Sequence, residues 1–301
     1  MRLSATLQLH VAVLLFGTAG LMGKLVDLPA MQLVLGRTLI GACALALFML
    51  LRKRDNLGRW WPAGTNTTLA IPLALSGVVL VVHWWSFFYA IQLAGVGVAL
   101  VGFSAFPVFV TALEALFQKR MVRAFDGFMT SLVVFGLWLV APDIDWHNSA
   151  FQGLAWGVIS GALFAVLALQ NRALVRVFGG IRLGFWQQGM AGLCCLLVMG
   201  PSLAHIELGV GDIAKLLVLG VVLTAVPHVL FIASLKHIGA HTAAIITSLE
   251  PIYGIALAWL LLADQPALTT LLGAAIILSA VVLTQRYQVV RQTDRQSKDS
   301  A

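Results

Sequence analysis

Apolar residues run along this chain in blocks of roughly 20, separated by short polar connections. A block of that length crosses a hydrocarbon core about 30 Å thick when it is helical. The pattern predicts ten spans, near 6–26, 30–51, 68–91, 96–117, 127–141, 152–172, 183–203, 214–235, 242–263 and 267–285. The connections "DLP" at 27–29, "RKRDNLGRWWPAGTNTT" at 52–68, "APDIDWHN" at 141–148 and "ADQPALT" at 263–269 are rich in residues that favour turns.

Composition gives the same picture. Hydrophobic residues make up 60% of the chain and charged residues only 10%, against about 25% in a soluble domain. With a mean hydropathy of +0.95, the chain reads as a polytopic α-helical membrane protein. The net charge of +7 would suggest a nucleic-acid partner in a soluble protein. Here the basic residues sit in the connections, where they set membrane orientation instead. One side holds Arg2, Arg52, Lys53, Arg54, Arg59, Lys119, Arg120 and Arg123. It also holds Arg172, Arg176, Arg182, Lys236, Arg286, Arg291, Arg295 and Lys298, making 16 of the 19 Lys and Arg. The other side carries Asp27, Asp143, Asp145, Asp212 and Asp264. Both termini are therefore predicted to be cytoplasmic, with residues 286–301 a basic, solvated tail. The expected location is a bacterial-type inner membrane. Cys43, Cys194 and Cys195 lie in apolar runs and read as small core residues, not a disulfide framework. Residues 7–26 follow Arg2 but offer no A-x-A cleavage site, so they read as the first span and not a signal peptide.

The second half repeats the first at a shift of 143 to 148 residues. Leu35, Gly36 and Gly41 fall on Leu183, Gly184 and Gly189; Lys24 falls on Arg172; and "GVVL" at 77–80 recurs at 220–223. At a shift of 144, Gly95, Ala99, Ser104 and Pro107 fall on Gly239, Ala243, Ser248 and Pro251. Five spans per half is an odd number, so the second copy enters the membrane from the opposite face. The expected fold is all-α, ten transmembrane helices as two inverted five-helix repeats, a plan common among secondary transporters. The units are residues 1–148 and 149–285.

"HWWSFFYAIQLAGVGVALVGFSAFPVFVTALEALF" at 83–117 and "AAIITSLEPIYGIALAWLLLADQPALTTLLGAAIILSAVVL" at 243–283 resemble the two repeats of the EamA-type drug/metabolite transporter superfamily. The resemblance extends over the whole chain; Ser248 with Glu250-Pro251 is its most specific part. It implies a ten-helix inverted-repeat transporter with a central cavity, cytoplasmic termini and a small metabolite as cargo, often moved outward. The family's cargoes include amino acids, amines, nucleosides and drugs. Two departures stand out. Phe106 occupies the position that Glu250 takes in the second repeat, and Gln118-Lys119-Arg120 replaces the acidic residue many members carry after the fourth span.

Several polar residues sit inside apolar runs. A charged side chain at mid-helix costs at least about 2.5–3.5 kcal/mol on insertion scales. Glu250 therefore reads either as a proton- or cation-binding group or as a neutral carboxyl bonded to a neighbouring helix. Glu114 reads as interfacial, paired with Lys119 or Arg120. Pro107 and Pro251 deprive the carbonyls of Phe103 and Thr247 of helical partners, so they predict kinks at a central site or kinks that only shape packing. Arg37, about two turns inside the second span, has two readings, an outward snorkel or an anion site. Lys24 reads as an interfacial snorkel.

"HWWSFFY" at 83–89 reads as an aromatic belt or as rings boxing a ligand. By the repeat, Trp84 matches His228 and Phe87 matches Phe231. The expected cavity set is Trp84, Phe87, Phe88, Ser104, Gln187, His228, Ser248, Glu250 and Tyr253, where Gln187, Gln188 and His228 have interhelical bonding as the other reading. Gly153, Gly157 and Gly161 recur every four residues and predict a close helix approach or a sliding surface.

Other classes fare less well. "GVGD" at 209–212 matches an intramembrane aspartyl protease pattern, but no span interior holds a second aspartate. His237 and His241 lack a third metal ligand, and neither a nucleophile elbow nor a phosphate loop is present, so no catalytic residue, metal or cofactor is expected. A passive channel and a membrane scaffold are the remaining rivals. The reading adopted is a secondary transporter, expected to export an amino acid or amine by alternating access. Without a nucleotide motif its energy comes from gradients, with protons the candidate coupling ion.

Overall fold

The computed structural model describes residues 4–52, 60–62, 66–117, 124–140, 144–205 and 208–299. These residues form helices and short connections without a strand among them. The elements are α1 (Ala5–Leu25), α2 (Ala30–Leu51), α3 (Ala70–Phe103), α4 (Phe106–Phe117), α5 (Ala124–Val140) and α6 (Ser149–Met199). They continue as α7 (Val210–Leu217), a π-helical segment (Val218–Ala225), α8 (Val226–Ser234), α9 (Ala240–Thr247), α10 (Glu250–Leu262) and α11 (Leu268–Asp299).

Five continuous stretches are long and apolar enough to cross a membrane: Ala5–Leu25, Ala30–Leu51, Thr67–Phe103, Ser149–Met199 and Val210–Ser234. The apolar helices Phe106–Phe117, Gly127–Val140, Glu250–Leu262 and Leu268–Leu283 are shorter. Large apolar side chains point outward all along them; Leu116, Phe117, Leu197 and Leu260 are each at least 70% exposed. Such a surface suits lipid and is unfavourable in water.

The breaks between spans are sharper than the apolar pattern predicts. The connection expected at 92–95 is reduced to Gly95 (φ 85°, ψ 170°) inside α3, and that expected at 173–182 to Gly179 (φ 71°, ψ 167°) inside α6. Only a residue without Cβ takes these angles freely, so one glycine suffices where a loop was expected.

The two prolines do not kink continuous helices. The chain breaks at Ser104-Ala105 and again at Ser248-Leu249, and Pro107 and Pro251 stand in the first turns of α4 and α10. A first-turn proline loses no helical hydrogen bond, which is why the break precedes it. Beyond residue 285 the expected tail continues α11 as helix through Asp299.

Packing follows the small residues. α3 lies mainly against α6, α5 against α11, and α1 against α8 and α10. A Cβ on Gly157 would stand 2.6 Å from the Ala99 carbonyl oxygen, and one on Gly161 2.9 Å from that of Phe103. The glycine row of α6 therefore serves backbone-to-backbone packing on the second part of α3.

Two ion pairs tie elements that are distant in sequence. Lys24 at the end of α1 meets Asp264, just after α10, at 2.7 Å. Arg172 in α6 meets Glu114 near the end of α4 at 3.5 Å. Lys24 stays partly exposed in its pair. Glu114 takes Arg172; its expected partners Lys119 and Arg120 lie outside the described residues.

Candidate functional site

The two chain breaks bring Phe103 and Glu250 to the wall of one internal cavity. Phe16 and Ala19 from α1, Arg37 from α2, His83, Trp84 and Phe87 from α3, Phe164 from α6 and His228 from α8 complete the lining. The space is narrow, about 30 Å3. That holds about two waters.

Arg37 is 2% exposed, so the outward snorkel does not form. Its Nε–H donates to Thr224 Oγ1 at 2.9 Å, and the Thr224 hydroxyl in turn donates to the Leu219 carbonyl at 2.6 Å. The acceptor carbonyl lies five residues back, inside the π-helical segment, so the widened turn positions the hydroxyl for Arg37. The guanidinium carbon stands 4.1 Å from the centroid of Trp84 and 4.9 Å from that of Phe88. Such contacts are worth about 2 kcal/mol or more once desolvated.

Glu250 is 5% exposed and opens α10, where the helix dipole favours a carboxylate. It shares the cavity wall with Arg37, yet no ion pair within 4.0 Å joins the two. Among the described residues no hydrogen-bond partner of its carboxyl group is found within 3.5 Å.

Both histidines are held from behind. His83 Nδ1 lies 3.0 Å from the Ser160 carbonyl, which only accepts, and 2.8 Å from the Ser160 hydroxyl, and a proton on Nδ1 satisfies both contacts. The Ser160 hydroxyl then donates to the His83 carbonyl at 3.1 Å, and the ring stacks on Phe164 at 5.0 Å. His228 Nε2 donates to Gln187 Oε1 at 3.1 Å, and the Gln187 amide donates to Ser76 Oγ at 2.9 Å and to Asn171 Oδ1 at 2.7 Å. Gln187 is therefore a positioning residue behind the cavity and not part of its lining.

The stretch "HWWSFFY" divides by face. His83, Trp84 and Phe87 line the cavity, with Phe88 beside Arg37 just outside it. Trp85 and Tyr89 turn away and cluster with Trp156, at centroid distances of 5.1 and 5.8 Å. Trp84 and His228, repeat partners by sequence, meet edge to face at 5.5 Å.

Of the expected set, Trp84, Phe87, His228 and Glu250 come together in the lining. Ser104 and Ser248 do not: their hydroxyls donate back to the carbonyls of Leu100 and Ala244, each at 2.8 Å. Tyr253 packs near Gly17, and Gln188 against Gly41. The lining residues missing from that set are Phe16, Ala19, Arg37, His83, Phe103 and Phe164. His83 adjoins Trp84 in sequence, a signal that was there to use, whereas nothing local marks Phe164. Phe106, standing where the repeat would place a second carboxylate, stacks on Phe103 at 5.9 Å instead.

Comparison with known proteins gives a family. The model of the "EamA-like transporter family" matches residues 3–141 and 151–286. The chain is 23% identical over 285 residues to "Uncharacterized transporter YxxF" of Bacillus subtilis, covering 93% of this chain and 89% of that one. It is 27% identical over 205 residues to an "Uncharacterized transporter" of Archaeoglobus fulgidus, covering 67% and 71%. A solved structure described as "Crystal structure of protein" shares the fold, with a TM-score of 0.63 at 17% identity over 95% of this chain and 100% of that one. Matched along nearly its whole length, the chain belongs to the EamA-like transporter family, whose members are multi-pass membrane transporters and not enzymes.

Proposed function

We propose that the chain is a secondary transporter with ten spans arranged as two inverted five-helix repeats, residues 1–148 and 149–285. It carries an amine or amino acid outward across a bacterial-type inner membrane by alternating access, with both termini and the tail 286–301 on the cytoplasmic side. The observation that carries this reading is the cavity itself. A carboxyl group, a guanidinium, two histidines and a ring of aromatics line one buried space beside two chain breaks at repeat-equivalent positions. Each of these polar groups is expensive to bury, and a merely structural core has no use for so many together.

The ion pairs support the same reading. Lys24 and Arg172 are repeat partners, and each binds a carboxylate at or just past the end of a broken helix, Asp264 after α10 and Glu114 near the end of α4. As gates of an alternating-access carrier, the two pairs open in turn, one toward each face. Coupling to protons would run through Glu250, with Arg37, His83 and His228 as the charged and titratable groups bordering the same space.

The test is counterflow in proteoliposomes against amino acids, amines, nucleosides and organic acids. Saturable, accumulative exchange of one class establishes a carrier. Flux without saturation or counterflow indicates a channel, and no substrate-dependent flux from correctly oriented protein indicates a scaffold.

A further inference from the structure

The ion pair between Lys24 and Asp264 lies where two larger spaces approach each other. On one side, Asp264, Gln265 and Thr270 join Val98, Ile255 and Ala258 around a cavity of about 210 Å3 between α3, α10 and the start of α11. On the other, Lys24 and Asp27 line an open groove of about 470 Å3 with Ile91 and Gln92. Both exceed the central cavity with its 30 Å3.

Asp264 is placed on the first wall by a strained turn. Ala263 stands at φ 52° and ψ 24°, the one residue other than glycine with positive φ among those described. A residue with a Cβ takes such angles at a cost, and strain of this kind collects at functional sites. The turn returns the Asp264 N–H to the Ala258 carbonyl at 3.3 Å. The carboxylate accepts from Lys24 Nζ at 2.7 Å through Oδ2. Two carboxylate oxygens offer about four acceptor positions, so this single bond does not exhaust them. Gln265 and Thr270 add neutral polar side chains, and Val98, Ile255 and Ala258 make the wall apolar. One negative charge beside an apolar wall suits an organic cation. A volume below the roughly 300–1,000 Å3 of drug-sized pockets limits it to a small one.

We infer that this cavity binds a primary ammonium ion with a short apolar body, whose charged head competes with Lys24 for Asp264. Lys24 has a second carboxylate to turn to. Asp27 borders the same groove three residues on, and among the described residues no hydrogen bond or ion pair engages its side chain. The Lys24–Asp264 pair is half-exposed, so it changes partners in contact with water and at small cost. The ligand thereby controls the latch between the end of α1 and the end of α10. Binding here does not depend on the carrier reading; where that reading holds, the cation releases one of its two gates.

The experiment is thermal stabilisation of the purified full-length protein, titrated with benzylamine, a cation at pH 7, and with benzyl alcohol, its neutral counterpart. Benzylamine stabilises saturably, and benzyl alcohol acts at least about tenfold more weakly. Asp264→Asn weakens benzylamine about tenfold or more. Lys24→Gln does the opposite and tightens it about 2–5-fold, because the competitor is gone. A merely structural pair predicts weaker binding of both probes once Lys24 is removed. Should Asp264→Asn fail to fold, Lys24→Gln decides alone: unchanged or weaker benzylamine binding overturns the inference. No saturable effect on the wild type overturns it as well. If Glu250→Gln loses the binding while Asp264→Asn keeps it, the ligand sits in the central cavity and this site falls. Counterflow tests the carrier reading separately, whichever way these titrations fall.

Discussion

Glu250 places a carboxyl group in a wall otherwise made of rings, imidazoles, one guanidinium and the Ala19 methyl, at the first residue of α10. If protons drive the carrier through this group, Glu250→Gln still exchanges substrate but loses the dependence of exchange on pH. Counterflow at two pH values checks this, and an unchanged pH response in the variant would assign the residue to structure. Gly157 shows a different residue-scale constraint. A side chain there must displace backbone, since its Cβ would lie 2.6 Å from the Ala99 carbonyl oxygen. Gly157→Val is therefore expected to destabilise the protein by about 1–3 kcal/mol in thermal unfolding. Gly127→Ala is the matched control, because nothing stands within 4 Å of its Cβ position. Its effect should stay below about 1 kcal/mol and favour the helix.

At the scale of elements, function depends on where helices stop. Gly95 divides α3 beside the Lys24–Asp264 pair; a Cβ there would lie at ordinary distance, 3.5 Å from Lys24 Nζ and 3.6 Å from Asp264 Oδ2. The cost of Gly95→Ala is thus conformational and not steric, about 1–3 kcal/mol for a non-glycine residue at φ 85°. Thermal unfolding measures it, and loss of less than about 0.5 kcal/mol would show that the break adjusts. The ion pair itself is half-exposed, with 37% and 30% of its side chains accessible. Pairs of this kind contribute about 0.2–1 kcal/mol, so Lys24→Asp should change the exchange rate by about 2–5-fold. The charge swap Lys24→Asp with Asp264→Lys should bring the rate back toward wild type. A double variant no better than the single one would remove the pair from any gating role.

For the whole molecule, the distribution of basic residues makes a claim about sidedness. With an even number of spans, tags at both ends of the chain resist protease added to intact spheroplasts and are cleaved once the membrane is opened. Cleavage of only one of the two tags from outside would contradict the ten-span reading, and cleavage of both would reverse its orientation. On the proposed ten-span reading, the pair Lys24–Asp264 would face outward and Glu114–Arg172 inward, as gates at opposite faces. α1, α2, α3, α6, α8 and α10 all contribute lining to the cavity.

The membrane character of the chain was written in its one-dimensional pattern, because crossing a bilayer needs only length and apolarity, and both are local properties. Trp84, Phe87, His228 and Glu250 were legible for a related reason: polar or aromatic groups are conspicuous in apolar runs, and the repeat aligned two of them. What the sequence leaves open is direction. Arg37 reads as an outward snorkel before it reads as an anion site, until α2 is packed against the π-helical segment, which turns it inward onto Trp84 and Thr224. Ser104 and Ser248 were conspicuous too, yet each bonds its own helix, a choice made by side-chain rotation that spacing does not specify. Phe16 and Phe164 are ordinary apolar residues in ordinary runs. They belong to the cavity only because tertiary packing brings their helices to its wall, and no property of their neighbours along the chain encodes that meeting.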